Sequence, residues 1–180
     1  IVAANSTLEI RDSNEKFKVA APGETRFYVN GRGALRVLNS TITADGYFRF
    51  VVDGDVLISN STIRRTWGSG DDAGLQLRSG NVTSRHSALE AGMSHGISTR
   101  SFGGVIEDCI IQNNGGAGLL LAWSSGIIQN NTIRGNKAGM ILKSSYDFIQ
   151  NNTIQNNSGN GIEIAVSFTK LKNNRIYDNK

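Results

Sequence analysis

Two ten-residue stretches of this chain are nearly identical: IIQNNTIRGN from Ile127 and FIQNNTIQNN from Phe148, 21 residues apart. The echo continues in both directions. With the apolar residue that closes the phrase as a marker, the series runs Ile42, Ile63, Ala88, Ile111, Ile133, Ile154 and Ile176, at intervals of 21, 25, 23, 22, 21 and 22 residues. Leu8, in NSTL, begins an earlier copy 34 residues before Ile42. A repeat of this length, sustained along a chain, restricts the fold to a solenoid in which each unit stacks on the next.

The residues inside one unit decide which solenoid. Each late unit holds a short apolar run after glycine, as in GLLL from Gly118, GMIL from Gly139 and GIEI from Gly161. A polar break, a second apolar run, NNTI and an Asn/Gly turn follow. Runs of three to five residues rich in Ile and Val, punctuated by Gly, Asn and Ser, are strands and turns. No segment sustains a 3.6-residue apolar period, and the Leu-x-x-Leu-x-Leu phrase of leucine-rich repeats is missing. Three short strands with their turns use up one repeat, so each repeat makes one full coil. Strand alternation then points Leu119, Leu121, Met140, Leu142, Ile162 and Ile164 inward and Leu120, Ile141 and Glu163 outward.

Asparagine recurs three residues before the marker, at Asn5, Asn39, Asn60, Asn130, Asn151 and Asn173, with Arg85 and Asp108 there in two irregular coils. Asn tolerates the left-handed backbone region better than other side-chain-bearing residues, so it suits a sharp corner between strands. Stacked coils bring such side chains about 4.8 Å apart, within amide-to-amide bonding distance. Asn39, Asn60, Asn130, Asn151 and Asn173 are therefore expected to form a structural ladder.

The IQNNTI phrase with Gly-led strands resembles the parallel β-helix repeat of the pectate-lyase-like superfamily, which includes polysaccharide lyases and hydrolases, copper-processing periplasmic proteins of the NosD type and many archaeal and bacterial surface proteins. The resemblance covers Gly33 to Asn179. It implies an all-β, right-handed parallel β-helix of about seven coils over residues 33–180, preceded by an irregular coil or partial cap over residues 1–32. It says little about activity, because this fold carries many unrelated functions.

With 21 Gly, one Pro and 38% hydrophobic residues, the composition suits a turn-rich β protein with a real core. The single cysteine, Cys109, takes the place of the second Asn of NN, an inward position for a small apolar residue. It leaves no disulfide framework. There is no run of about 20 apolar residues, and IVAANST reads as a mature or trimmed N-terminus rather than a signal peptide. Sequons occur at Asn5, Asn39, Asn60, Asn81, Asn130, Asn151 and Asn156, which would permit N-glycosylation in a secreted protein. Together with the resemblance they point to an extracellular or cell-surface setting.

The net charge of +4 is modest and spread along the chain. Arg78 and Arg100 each stand four residues after a strand-opening glycine, Gly74 and Gly96, and Lys143 takes the same position two coils later. These should stack into a basic stripe, with Arg65, Trp67, Phe102 and Trp123 as neighbours. Guanidinium forks match carboxylates, so the stripe suits an acidic polysaccharide; the plainer reading is a solvated face. Nothing accompanies the charge that would mark a nucleic-acid binder.

In consecutive coils the chain also offers TADG with Asp45, GDDAG with Asp71 and Asp72, and SHGIS with His95. In order and character these are similar to the Asn-Thr-Asp, Asp-Asp and Gly-His-Gly blocks of polygalacturonase-type glycoside hydrolases. The resemblance implies a catalytic role for Asp45, Asp71, Asp72 and His95, with paired carboxylates protonating the leaving oxygen and activating water. The first block lacks its Asn, and the Arg-Ile-Lys block that should follow is absent; GLLLA stands near its place.

No cofactor is implied. Two His, two Met and one Cys make a poor set for copper, and no metal site is expected. The sequence thus supports a structural or adhesive surface module, able to associate end to end with copies of itself through its open strand edges. A polysaccharide-processing enzyme or an acidic-glycan-binding module is the alternative.

Overall fold

The computed structural model of the chain describes residues 3, 5–18, 26–71, 73–101 and 103–180. Among these, every element is a strand or a turn, and the strands pair in parallel into sheets of 14 and 8 strands. The asymmetry has a simple origin. The long strand Phe48–Ser59 pairs through its first half with Leu75–Ser79 and through its second half with Asn81–Arg85. One wall near the N-terminal end thus divides into two walls further along, and with the eight-stranded sheet these make a three-sided solenoid of about seven turns.

Each wall contributes at least one inward column. Phe50, Leu75, Ile97, Leu119 and Met140 stack in register on the first wall. Ile58, Ser84, Ile106, Ile128 and Ile149 stack on the second. Ile42, Ile63, Leu89, Ile111, Ile133 and Ile154 stack on the third. All of these side chains are buried. Like sits on like because a parallel coil returns each residue above its counterpart, so a 21- or 22-residue repeat is itself the packing rule.

The strand phase agrees with the expected alternation. Leu119, Leu121, Met140 and Leu142 are fully buried, and Glu163 is exposed. Ile162 is half-buried and Ile164 is 47% exposed, because no coil covers them on that side. Two expectations need correction. In the third of the marked coils the marker is Leu89, not Ala88, since Leu89 pairs with both Ile63 and Ile111. The coil from Ile63 to Leu89 runs 26 residues against 21 or 22 in the others, and burying leucine in place of alanine removes more apolar surface from water. The left-handed corner accordingly falls on His86 (φ 48°) rather than Arg85.

The second correction concerns the ladder. Asn39, Asn60, Asn130, Asn151 and Asn173 do hold the corner, with φ between 48° and 57°, but they are not buried within the solenoid; Asn39, Asn60, Asn130 and Asn151 are exposed. Asn60 Nδ2 donates to Asn39 Oδ1 at 3.3 Å. The continuous internal chain of amides lies one residue later. Asn131 Nδ2 donates to Asn152 Oδ1 at 2.9 Å, and Asn152 Nδ2 to Asn174 Oδ1 at 3.0 Å. A left-handed residue turns its own side chain outward and the next one in. Ser40, Ser61, Ser87 and Cys109 fill the same slot in earlier coils. A second internal stack joins Asn114, Asn136, Asn157 and Asn179.

Candidate functional site

The first wall presents two rows of side chains on its outer surface. In pairing order one row is Gln76, Ser98, Leu120, Ile141 and Glu163. The other, two residues along each strand, carries Arg100, Ala122, Lys143 and Ala165, with Arg78 next to Arg100 in the same register. Arg100 and Lys143 are aligned through Ala122, and Arg78 follows Leu77, the strand partner of Thr99.

Leu120 is 1% exposed although it faces outward. The connection between the strands Thr66–Trp67 and Leu75–Ser79 crosses this face, and its contacts show where. Asp71 Oδ2 and Oδ1 lie 2.8 and 3.0 Å from Lys143 Nζ, 72 residues further along the chain. Gly70 hydrogen-bonds His95 through its backbone. Leu120 pairs with Ile141, the residue two before Lys143, and is shielded from solvent.

His95 is fixed from several directions. Its Nδ1 accepts the Ala117 N–H at 2.8 Å, which requires that nitrogen to be unprotonated. A Cβ on Gly116 would lie 2.7 Å from Nδ1, and one on Gly74, whose φ is +81°, would lie 1.8 Å from the His95 carbonyl oxygen. Glycine at both positions lets the coil close around the ring. Burial pushes the imidazole below its ordinary pKa, against the opposing pull of Asp71 and the Gly70 backbone. Asp71 is also pushed down: its hydrogen bond to Lys143, aided by the charges of Lys143 and Arg100, holds its carboxyl below the usual carboxylate range. Asp71 is an ionised carboxylate inside a basic neighbourhood, and His95 is a neutral ring.

Beside this cluster is an open pocket of about 550 Å³, lined by His95, Lys137, Ile141, Asn160 and Glu163 around a floor of Gly115 and Gly116. At the other end of the strands, exposed aromatics follow the basic row. Trp123 occupies a left-handed corner and is 64% exposed. Tyr146 and Phe168 stack with centroids 5.6 Å apart.

The remaining sequence candidates are dispersed. Asp45 sits at the corner before Phe48–Ser59, where its carbonyl accepts from Arg65 Nη1 at 2.9 Å, and it does not line the pocket. Arg65 is thereby turned toward the preceding coil. Trp67 pairs with Arg49, whose guanidinium carbon is 6.0 Å from its ring centroid, toward the opposite end of the strands from Arg100. Asp72 and Phe102 lie outside the described residues. Cys109 is buried, and burial pushes its thiol pKa up. Among the described residues, no group of three or more His, Cys, Asp or Glu is placed to hold a metal ion, and no helix is long and apolar enough to cross a membrane. The Tyr146–Phe168 pair was not anticipated, although its 22-residue separation is the repeat itself.

The profile of the right-handed β-helix region matches residues 2–133 and 73–180. The chain belongs to the right-handed β-helix family. Among solved structures, the A-module of a mannuronan C-5 epimerase from Azotobacter vinelandii superposes on this β-helix with a TM-score of 0.52 at 15% sequence identity, over 96% of this chain and 69% of that one. At that identity the likeness is one of fold. No curated protein sequence is significantly similar to this β-helix.

Proposed function

We propose that the outer face of the first wall binds an acidic polysaccharide, in an extracellular or cell-surface setting. The observation that carries this reading is the row Arg78, Arg100 and Lys143, in register on a regular solenoid and followed at the same edge by the exposed ring of Trp123. A polyuronate repeats its carboxylates at fixed intervals, and a β-helix repeats its cations likewise. Guanidinium and ammonium groups meet the carboxylates, while aromatic faces offer apolar surface to sugar rings. The mannuronan epimerase module lends support, since it acts on an acidic polysaccharide from the same fold.

Binding is favoured over hydrolysis for the polygalacturonase-like set. His95 spends Nδ1 and a further hydrogen bond on backbone, and Asp71 is ion-paired, so neither is presented as a proton donor or a water-activating base. Titration with oligogalacturonate, oligomannuronate and a neutral glucan at fixed ionic strength tests the reading. Binding of the uronates alone, weakened about tenfold or more by Arg100→Ala or Lys143→Ala and by added salt, is the expected result. Equal affinity for the neutral glucan would overturn it.

A second reading is a surface module whose copies associate through the strand edges of the solenoid. Sedimentation over a wide concentration range tests this; a monomer throughout contradicts it. The extracellular setting is supported by the seven sequon asparagines, all exposed, and is tested by a glycosidase-sensitive mass shift after secretion from a eukaryotic host.

A further inference from the structure

The basic row has a gap. Between Arg100 and Lys143 the intervening strand contributes only Ala122, whose methyl group cannot fill the space between two long cations. With strands about 4.8 Å apart, the two cationic positions are two strand spacings from each other. The group that reaches into this basic region is a carboxylate, and it belongs to neither strand. Asp71 arrives from a connection two coils before Ala122 and places both oxygens within 3.0 Å of Lys143 Nζ. A β-helix stacked strictly in register brings together residues about one repeat apart; a contact across 72 residues exists because the connection is laid over the outer face.

We infer that Asp71 is an internal stand-in for a ligand carboxylate, so that the connection carrying it acts as a self-competing cover on the basic row. The inference rests on the acidic-polysaccharide reading above and adds a regulatory element to it. Its chemistry is carboxylate exchange: a uronate carboxylate approaching Lys143 and Arg100 meets cations already neutralised by Asp71 and must displace it. The Asp71–Lys143 pair is open to solvent, with side chains 55% and 42% exposed, and exposed ion pairs hold weakly. Displacement is therefore accessible to a multivalent anion, which engages Arg78 as well, and less so to a single carboxylate. The hydrogen bond between Gly70 and His95 keeps the cover tethered when Asp71 leaves.

The test compares wild type, Asp71→Asn, and the double variant Asp71→Asn with Lys143→Ala, each titrated calorimetrically with oligogalacturonate and oligomannuronate at one ionic strength, after thermal unfolding has shown that all three fold. Asp71→Asn keeps the shape of the side chain and removes its charge. It should bind about fivefold more tightly than wild type, and the gain should vanish in the double variant. In wild type, saturating ligand should also speed hydrogen exchange of the Gly70 and Asp71 amides. Unchanged or weaker binding by Asp71→Asn would overturn the inference while leaving the acidic-polysaccharide reading intact, provided Arg100→Ala still weakens wild-type binding. Absence of uronate binding in both wild type and Asp71→Asn would overturn both.

Discussion

The side-chain amide of Asn131 donates to Oδ1 of Asn152 from 2.9 Å, while the same Oδ1 accepts the Asn131 backbone N–H at 2.9 Å. One oxygen thus serves two donors of the coil above, and Asn152 Nδ2 in turn donates to Ile128 O at 2.9 Å and Asn174 Oδ1 at 3.0 Å. Asn152→Ala strands several buried groups at once and should cost about 2–4 kcal/mol. Its neighbour Asn151 is exposed with φ 55°. There Ala should cost about 1 kcal/mol for the left-handed backbone, and Gly should be within about 0.5 kcal/mol of wild type. Urea denaturation of the three variants checks the ordering; an equal cost for Asn151→Ala and Asn152→Ala would contradict it.

Asp147 is a carboxylate inside the solenoid, accepting from Ser124 Oγ at 2.6 Å and from Gly126 N at 2.7 Å. Burial raises its pKa despite these two bonds. With the folded pKa above the unfolded one, the native state holds the proton more tightly, so stability is greatest in acid. It falls as pH rises from the ordinary value near 3.9 to the raised folded value, and is flat beyond. Asp147→Asn removes the charge and keeps the shape, with Ser124 Oγ able to accept from the new amide. This variant should lose that pH slope and melt at a higher temperature than wild type at neutral pH. A lower melting temperature would show that the ionised carboxylate is the better partner.

The columns were readable from spacing because each coil must place an apolar residue over an apolar residue, and repetition exposes that requirement. Reading failed where one slot had two claimants. In RHSAL both Ala88 and Leu89 are apolar, and only their packed neighbours separate them. In NNTI either Asn could have faced inward, and the decision rests on the outward turn of the left-handed corner. The Asp71–Lys143 contact was beyond periodicity altogether, since an irregular connection sets its path.

His95 titrates in the opposite sense to Asp147. Its folded pKa lies below the ordinary value near 6.5, so the unfolded chain binds the proton more readily. The stability it contributes is present above about pH 6.5 and is lost as pH falls through that value toward the folded pKa. Protonation of Nδ1 would also end its acceptance from Ala117 N–H, with Asp71 and Lys143 the nearby charges. Exchange at the Ala117 amide should accelerate, relative to intrinsic rates, between neutral pH and pH 5. His95→Gln, which cannot titrate, should lack this acceleration. The same acceleration in His95→Gln would assign it to some other group.

Leu120 and Leu121 are adjacent and equally hidden, at 1% and 0% exposure, but face opposite sides of one strand. Leu121 belongs to the interior, where parallel neighbours above and below prevent collapse, so Leu121→Ala should cost about 3–5 kcal/mol. Leu120 faces outward, on the face reached by the connection anchored through Gly70 and through Asp71, whose pair with Lys143 is solvent-exposed. That cover can settle into the space left by a truncated side chain, and Leu120→Ala should cost only about 1–2 kcal/mol. It should nevertheless speed proteolysis within the connection, because the apolar contact that seats it would be gone. Denaturation midpoints paired with limited proteolysis separate the two effects. A cost for Leu120→Ala equal to that for Leu121→Ala, with no change in cleavage, would show the connection to be as rigid as the core and would leave no mobile cover over the basic row.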